Sequence, residues 1–155
     1  MTLLLTTTKI INEWTDYNNH MNLSFYIMIF DMGAEKILSK FQMGAQSAKS
    51  TKKSTMVVET HTTYNNEVKE NDDVEVYLSY FDHDKKRIHY KLEMYEKSKN
   101  ILSSTTAVLA LYIDLNIRKV AEFENEKVAI MDQFIKENKP KFKIDNLQFS
   151  NKLKK

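Results

Sequence analysis

"EWTDYNNHMNLSFYIMIFD", residues 13–31, changes character halfway through. Asp16, Asn18, Asn19, His20 and Asn22 come first, and the chain then turns apolar from Leu23. From Leu23 to Phe41 apolar residues recur at helical spacing, and "FYIMIF" is apolar all round. A helix that is apolar on every side is one that the rest of the chain buries. This stretch therefore predicts a long central helix with a polar loop at its start.

The residues beyond this helix predict its wrapping. Gly44 to Lys53 reads as a polar, basic connection. After it the period changes from helical to two: Met56 to Tyr64, Val74 to Tyr80, and Ile88 to Met94 all alternate. "DHDKKR" reads as a hairpin turn, and Ile101 to Ile113 as a long fourth strand in antiparallel succession. Leu3 to Ile11 adds a first strand, and Glu124 to Asn138 a peripheral helix with Val128, Met131, Phe134 and Ile135 facing inward. A sheet of about five strands must cover one face, and the Leu23–Phe41 helix is the element apolar enough to fill it. The fold expected is α+β: a hotdog fold, with one long helix wrapped by a curved antiparallel sheet and a C-terminal helix added.

Composition narrows the function. A chain of 155 residues suits one domain, 1–155. The formal net charge is +2 and the bases form no block, so nucleic-acid binding is not expected. There is no cysteine, which excludes disulfides, thiolate catalysis and cysteine-bound zinc. His83 and His89 have no second ligand at metal spacing, so no metal is expected. No run approaches the ~18 apolar residues of a membrane span, nor does the start read as a secretory signal, and a cytoplasmic protein is the expectation. With two glycines and one proline, the turns must be made by Asn, Asp and Lys.

The polar loop has two accounts. Asn and Asp are ordinary helix caps, and Asn22 stands at the natural N-cap. Yet five polar residues exceed what capping needs. Helix N–H groups beside a carbonyl can hold an oxyanion, and a nearby carboxylate can attack it or activate water. On residue types alone, capping and catalysis explain the loop equally.

"WTDYNNHMNLSFYIMIFD" resembles the entry to the central helix in hotdog acyl-CoA thioesterases of the 4-hydroxybenzoyl-CoA thioesterase-like group, where Asp-x-Asn-x-His-[Met/Val]-Asn precedes the helix. "ETHTTYNNEV", "FDHDKKRIHYKLEMY" and "LYIDLNIRKVAEF" extend the similarity over nearly the whole chain. The nearest branch is that of the betainyl-CoA thioesterases of carnitine breakdown. The resemblance implies Asp16 as catalytic base or nucleophile. It implies Asn18 and His20 as the pair orienting carbonyl and water, with backbone N–H groups near Asn22 and Leu23 polarising the thioester oxygen. Asn19 stands where many relatives have Gly; if positive φ is needed there, Asn is the best-tolerated substitute. The products implied are a free acid and coenzyme A, with no cofactor. The assembly implied is a homodimer with two sites at its interface, or a tetramer in which such dimers pair.

In such a dimer Glu59 or His61 of a partner would line the site, although paired residues on a strand face are usually just solvated. Lys85, Lys86 and Arg87 form a basic hairpin, ordinarily a solvated turn, which would meet the phosphates of coenzyme A if functional. A betainyl group would need an aromatic face for its quaternary ammonium, and Trp14 and Tyr17, flanking Asp16, are the expected pair. Two other readings stand beside hydrolysis of acyl-CoA. One is a non-catalytic acyl-binding subunit, and the other is a thioesterase acting on acyl carrier protein. A dehydratase of the same fold would place its acid and His elsewhere.

Overall fold

The computed structural model describes residues 3–155. Five long strands form one antiparallel sheet: β1 (Leu3–Lys9), β2 (Lys53–Tyr64), β3 (Asp73–His83), β4 (Arg87–Glu96) and β5 (Ile101–Asp114), in the order β1-β3-β4-β5-β2. A two-residue strand, β6 (Lys119–Val120), pairs with β5. The long helix α1 (Leu23–Lys40) packs on β1 and β3, and α3 (Asn125–Asn138) closes the far end of the core. This is the expected hotdog arrangement.

The strand alternation decides which side chains meet α1. The register Leu78–Leu92–Thr106–Thr62 sets one row facing the helix, and Val76–Met94–Ser104–Tyr64 sets the next. Against these rows α1 presents Tyr26, Ile29, Phe30, Gly33, Ala34 and Ile37. Gly33 allows a close approach: a Cβ there would stand 3.0 Å from Val76 Cγ1 and would push that side chain aside. Phe41, wholly buried, packs its ring on Phe81 (centroids 4.7 Å) and Phe134 (5.2 Å), joining α1, β3 and α3. Burial of each such side chain stabilises the fold by roughly 1.5–3 kcal/mol. The inward residues expected of α3 are Met131 and Phe134 in the core, with Val128 and Ile135 packed at its margin.

Three expectations are corrected. Ala45–Thr51, read as connection, is a short helix α2, closed by Lys52 in the left-handed region at φ 59°. Its small, polar sequence lacks an apolar stripe, which hid it. Second, the antiparallel succession holds only for β3, β4 and β5. β2 crosses over to pair with β5 and becomes an edge. Third, α1 is not buried all round: Leu23 is 61% exposed, and Ile27 and Met32 are exposed too. The sheet wraps one side of the helix, and the uncovered apolar seam runs beside edge strand β2, where Val57 and Val58 are more than half exposed.

Residues 139–155 cover the outer face of the sheet over β3, β4 and β5, and leave the outer face of β2 exposed. Phe149 and Leu153 pack on Ala107 and Leu109. His89 lies beneath this segment at 0% exposure, between Tyr80 and Phe149, and neither ring nitrogen has a partner. Burial pushes its pKa down to about 4, against the weaker upward pull of Asp82.

No described helix is long and apolar enough to cross a membrane.

Candidate active site

The polar loop is a tight, self-bonded turn. Asp16 N–H donates to the His20 carbonyl (3.2 Å) and Asn19 N–H to the Asp16 carbonyl (2.9 Å). Thr15 and Met21 form an isolated antiparallel bridge that closes the loop. Reversing the chain in so few residues puts Asn19 at φ 61°, so the position does need the left-handed conformation that Asn tolerates.

Inside this turn the Asp16 carboxylate is held on both oxygens. Oδ1 accepts the Asn18 N–H at 2.8 Å and Oδ2 accepts the Asn22 side-chain amide at 3.0 Å. The Asn18 N–H is the larger influence, the Asn22 amide the next. Together they hold the carboxyl below its ordinary value of 3.8, so Asp16 is ionised at neutral pH. Asn22 also caps α1: its Oδ1 accepts the Ser24 N–H (3.1 Å) and hydroxyl (2.7 Å). One amide thus ties the carboxylate to the positive end of the helix. Capping and carboxylate positioning, which competed as explanations, are done by the same side chain.

Not every backbone donor expected here is free. The Asn22 N–H is taken by the Trp14 carbonyl at 2.9 Å, and the Phe25 N–H by the Asn22 carbonyl at 3.0 Å. Among the described residues no hydrogen bond engages the Leu23 N–H. Of the pair anticipated, Leu23 is the donor that remains available to an oxyanion.

Asp16, Asn18, His20, Asn22 and Leu23 all line one cavity of about 440 Å³. His20 Nδ1 is buried there without a partner. Tyr17, 93% exposed, stands at the rim. The opposite wall was not foreseen: Tyr26 from α1, Tyr64 from the end of β2, and the turn Asn65–Asn66–Glu67. Tyr26 and Tyr64 meet edge to face, centroids 5.3 Å apart at 90°. The Val68 N–H donates to Tyr26 Oη at 3.3 Å, pinning the turn to the helix. That contact spans 42 residues of sequence and has no local signature.

Other anticipated residues lie elsewhere. Trp14 stacks on Phe25 (5.9 Å, 20°) and does not line the cavity. Its apolar bulk is better buried against α1 than left in an open polar cleft. Glu59 and His61 pair with Leu109 and Ala107 and so point to the outer face of β2, while Thr60 and Tyr64 point to the helix side. They do not reach the cavity of their own chain. The Lys85–Arg87 hairpin is at the opposite end of the sheet. Met94 is level with Tyr64 and Arg87 with Met56, roughly 24 Å along the strand. There buried Asp84 accepts the Lys86 and Arg87 N–H groups and pairs with the Arg87 guanidinium at 3.0 Å. Arg87 is committed to that carboxylate, and only Lys85 and Lys86 are exposed. Among the described residues no group of three acidic or histidine side chains converges to hold a metal ion.

The sequence and the fold have parallels among known proteins. Residues 12–135 match the family model of the thioesterase-like superfamily. A betainyl-CoA thioesterase of Pseudomonas aeruginosa is 29% identical over 131 residues, covering 83% of this chain and 82% of that protein. A Staphylococcus aureus protein solved in complex with CoA superposes with TM-score 0.84 at 24% identity, covering 95% of this chain and 92% of that one. A DHNA-CoA thioesterase of the same organism gives 0.78 at 15% identity, covering 87% and 92%. The chain belongs to the thioesterase-like superfamily and is a thioester hydrolase of the hotdog fold.

Proposed function

We propose that this enzyme hydrolyses a short acyl-CoA thioester, with betainyl-CoA the leading substrate, using Asp16 and no cofactor. The observation that carries the reading is the Asp16 carboxylate, ionised and clamped by Asn18 and Asn22 at the start of α1, facing a cavity. The thioester carbonyl would lie with its oxygen toward the Leu23 N–H, where the helix end favours developing negative charge. Asp16 then attacks the carbonyl carbon directly or takes a proton from the water that does. The C–S bond breaks, the thiolate leaves as coenzyme A after protonation, and water supplies the oxygen of the new acid. His20 and Asn18 hold the water and the carbonyl in line. The relative from Pseudomonas aeruginosa supports the choice of acyl group.

The working unit is proposed to be a homodimer joined along β2. A twelve-residue edge with Val57 and Val58 exposed is the kind of edge that a second chain covers. Antiparallel pairing of two β2 edges would bring the Lys53 end of one chain beside the Tyr64 end of the other. Lys85 and Lys86 of the second chain would then stand on the nucleotide side of the first chain's cavity.

Release of free thiol from betainyl-CoA tests the reaction. Asp16→Asn should lower the rate by at least ~100-fold with the fold intact by circular dichroism. A variant that keeps the wild-type rate overturns the assignment of Asp16.

A further inference from the structure

We propose that Tyr64, backed by the buried Tyr26, and Glu67 form a subsite for a quaternary ammonium group carried on the acyl chain. The inference rests on the reading of the Asp16 cavity as an acyl-CoA hydrolase site, and it says how that site chooses its acyl group.

The charge of the cavity is the first ground. The lining that this chain itself supplies includes two carboxylates, Asp16 and Glu67, and no Lys or Arg. Glu67 has one cationic neighbour, Lys69 Nζ at 3.5 Å, and both side chains are more than half exposed, so water screens that pair. An acyl group bearing its own carboxylate or phenolate would enter a like-charged cleft. One bearing a fixed cation would enter a complementary one.

The second ground is the aromatic corner. Tyr26 and Tyr64 meet edge to face, 5.3 Å apart at 90°; Tyr26, 3% exposed, backs the corner, while Tyr64, 47% exposed, offers its ring to the cavity. A trimethylammonium group has no N–H to donate, so it cannot be read by hydrogen bonds. It is read by ring faces and a nearby carboxylate. Tyr26 is fixed by its place in the α1 core and by the Val68 N–H, and Tyr64 by its position at the end of β2. Burial, with help from Glu67 and Tyr64, raises the Tyr26 phenol above its ordinary value, which keeps it neutral.

The third ground is division of labour. A carboxylate that attacks the carbonyl cannot also stay fixed as counter-ion to the cation. Glu67 removes the conflict: it balances the cation from the opposite wall and leaves Asp16 to the chemistry. In betainyl-CoA one methylene separates nitrogen from carbonyl, so the two sites must adjoin, and one cavity holds both.

The test compares betainyl-CoA with 3,3-dimethylbutyryl-CoA, which replaces N⁺ by carbon at equal size. Wild type should prefer the cation in kcat/KM by about tenfold or more, and the ratio should fall toward one in Glu67→Gln and Tyr64→Leu. A ratio measures selectivity, so a general loss of rate does not mimic the effect. Equal hydrolysis of the two by wild type, or a ratio unchanged in both variants, overturns the subsite and leaves the thioesterase standing. If neither ester is hydrolysed, the proposed substrates are overturned instead. Calorimetric binding of the two thioesters to Asp16→Asn then reads the subsite without turnover, and equal affinities overturn it.

Discussion

The Asn22 side-chain amide lies 3.0 Å from Asp16 Oδ2 while its oxygen caps Ser24, so one residue joins the reactive carboxylate to the helix start. Asn22→Asp keeps a capping oxygen but replaces the donor to Asp16 with a like charge. The Asp16 pKa must rise. Activity needs the ionised carboxylate, so it is present above that pKa and lost as pH falls through it. In wild type the acid limb of kcat/KM should lie below 3.8. In Asn22→Asp it should move upward by about one pH unit or more. An unmoved limb would show that Asp16 does not titrate in that limb.

Asn19 sits at φ 61° in the turn that delivers Asp16. Asn19→Gly should leave stability and rate near wild type. Asn19→Val forces a β-branched side chain into the left-handed region and should cost about 1–2 kcal/mol. Urea midpoints at constant slope would measure it. A Val variant as stable as wild type would mean that the turn relaxes to another conformation.

His89 makes stability depend on pH. Its folded pKa of about 4 lies below the ordinary 6.5, so between these values the unfolded chain binds more protons. Stability contributed by neutral burial is full above 6.5 and falls as pH drops toward 4, by on the order of 3 kcal/mol. His89→Phe, with a ring to fill the space between Tyr80 and Phe149, should remove that part of the slope. Denaturation of both proteins at several pH values between 7 and 4 tests it, and identical slopes would refute it.

Exposed Val58 lies on the β2 edge. Val58→Lys places a charge where a second chain would pair. Sedimentation should then report a monomer where wild type reports a dimer, and thiol release should fall with it. A monomeric wild type with full activity would end the case for edge pairing.

The legible part of this chain was its periodicity. The Leu23–Phe41 helix and the alternating runs carried the fold because burial against one face imposes its period on the residues. The left-handed turns were partly legible as well: Asn19, Asn71, Asn100 and Asn146 all take positive φ, as scarcity of glycine demanded. The near wall of the site was readable because Asp16 to Leu23 is contiguous. Its far wall was not. Tyr64 and Glu67 are neighbours in sequence, but they meet Tyr26 and the Asp16 loop only through the sheet order, and the crossing of β2 to β5 is a property of the whole chain. Trp14 misled for the opposite reason: adjacency to Asp16 in sequence did not make it a neighbour in the cleft, since stacking on Phe25 took its ring away.

The position of the Lys85–Arg87 hairpin, at the far end of the sheet from its own Asp16, has a genetic corollary. If the nucleotide end of the substrate rests on Lys85 and Lys86 of the second chain, each reaction draws on two polypeptides. Two inactive alleles could then rescue each other. Subunits carrying Asp16→Asn, mixed equally with subunits carrying Lys85→Glu and Lys86→Glu, would reassemble so that one site in each mixed dimer holds every intact part. Roughly a quarter of the wild-type activity should return, well above what either parent shows alone.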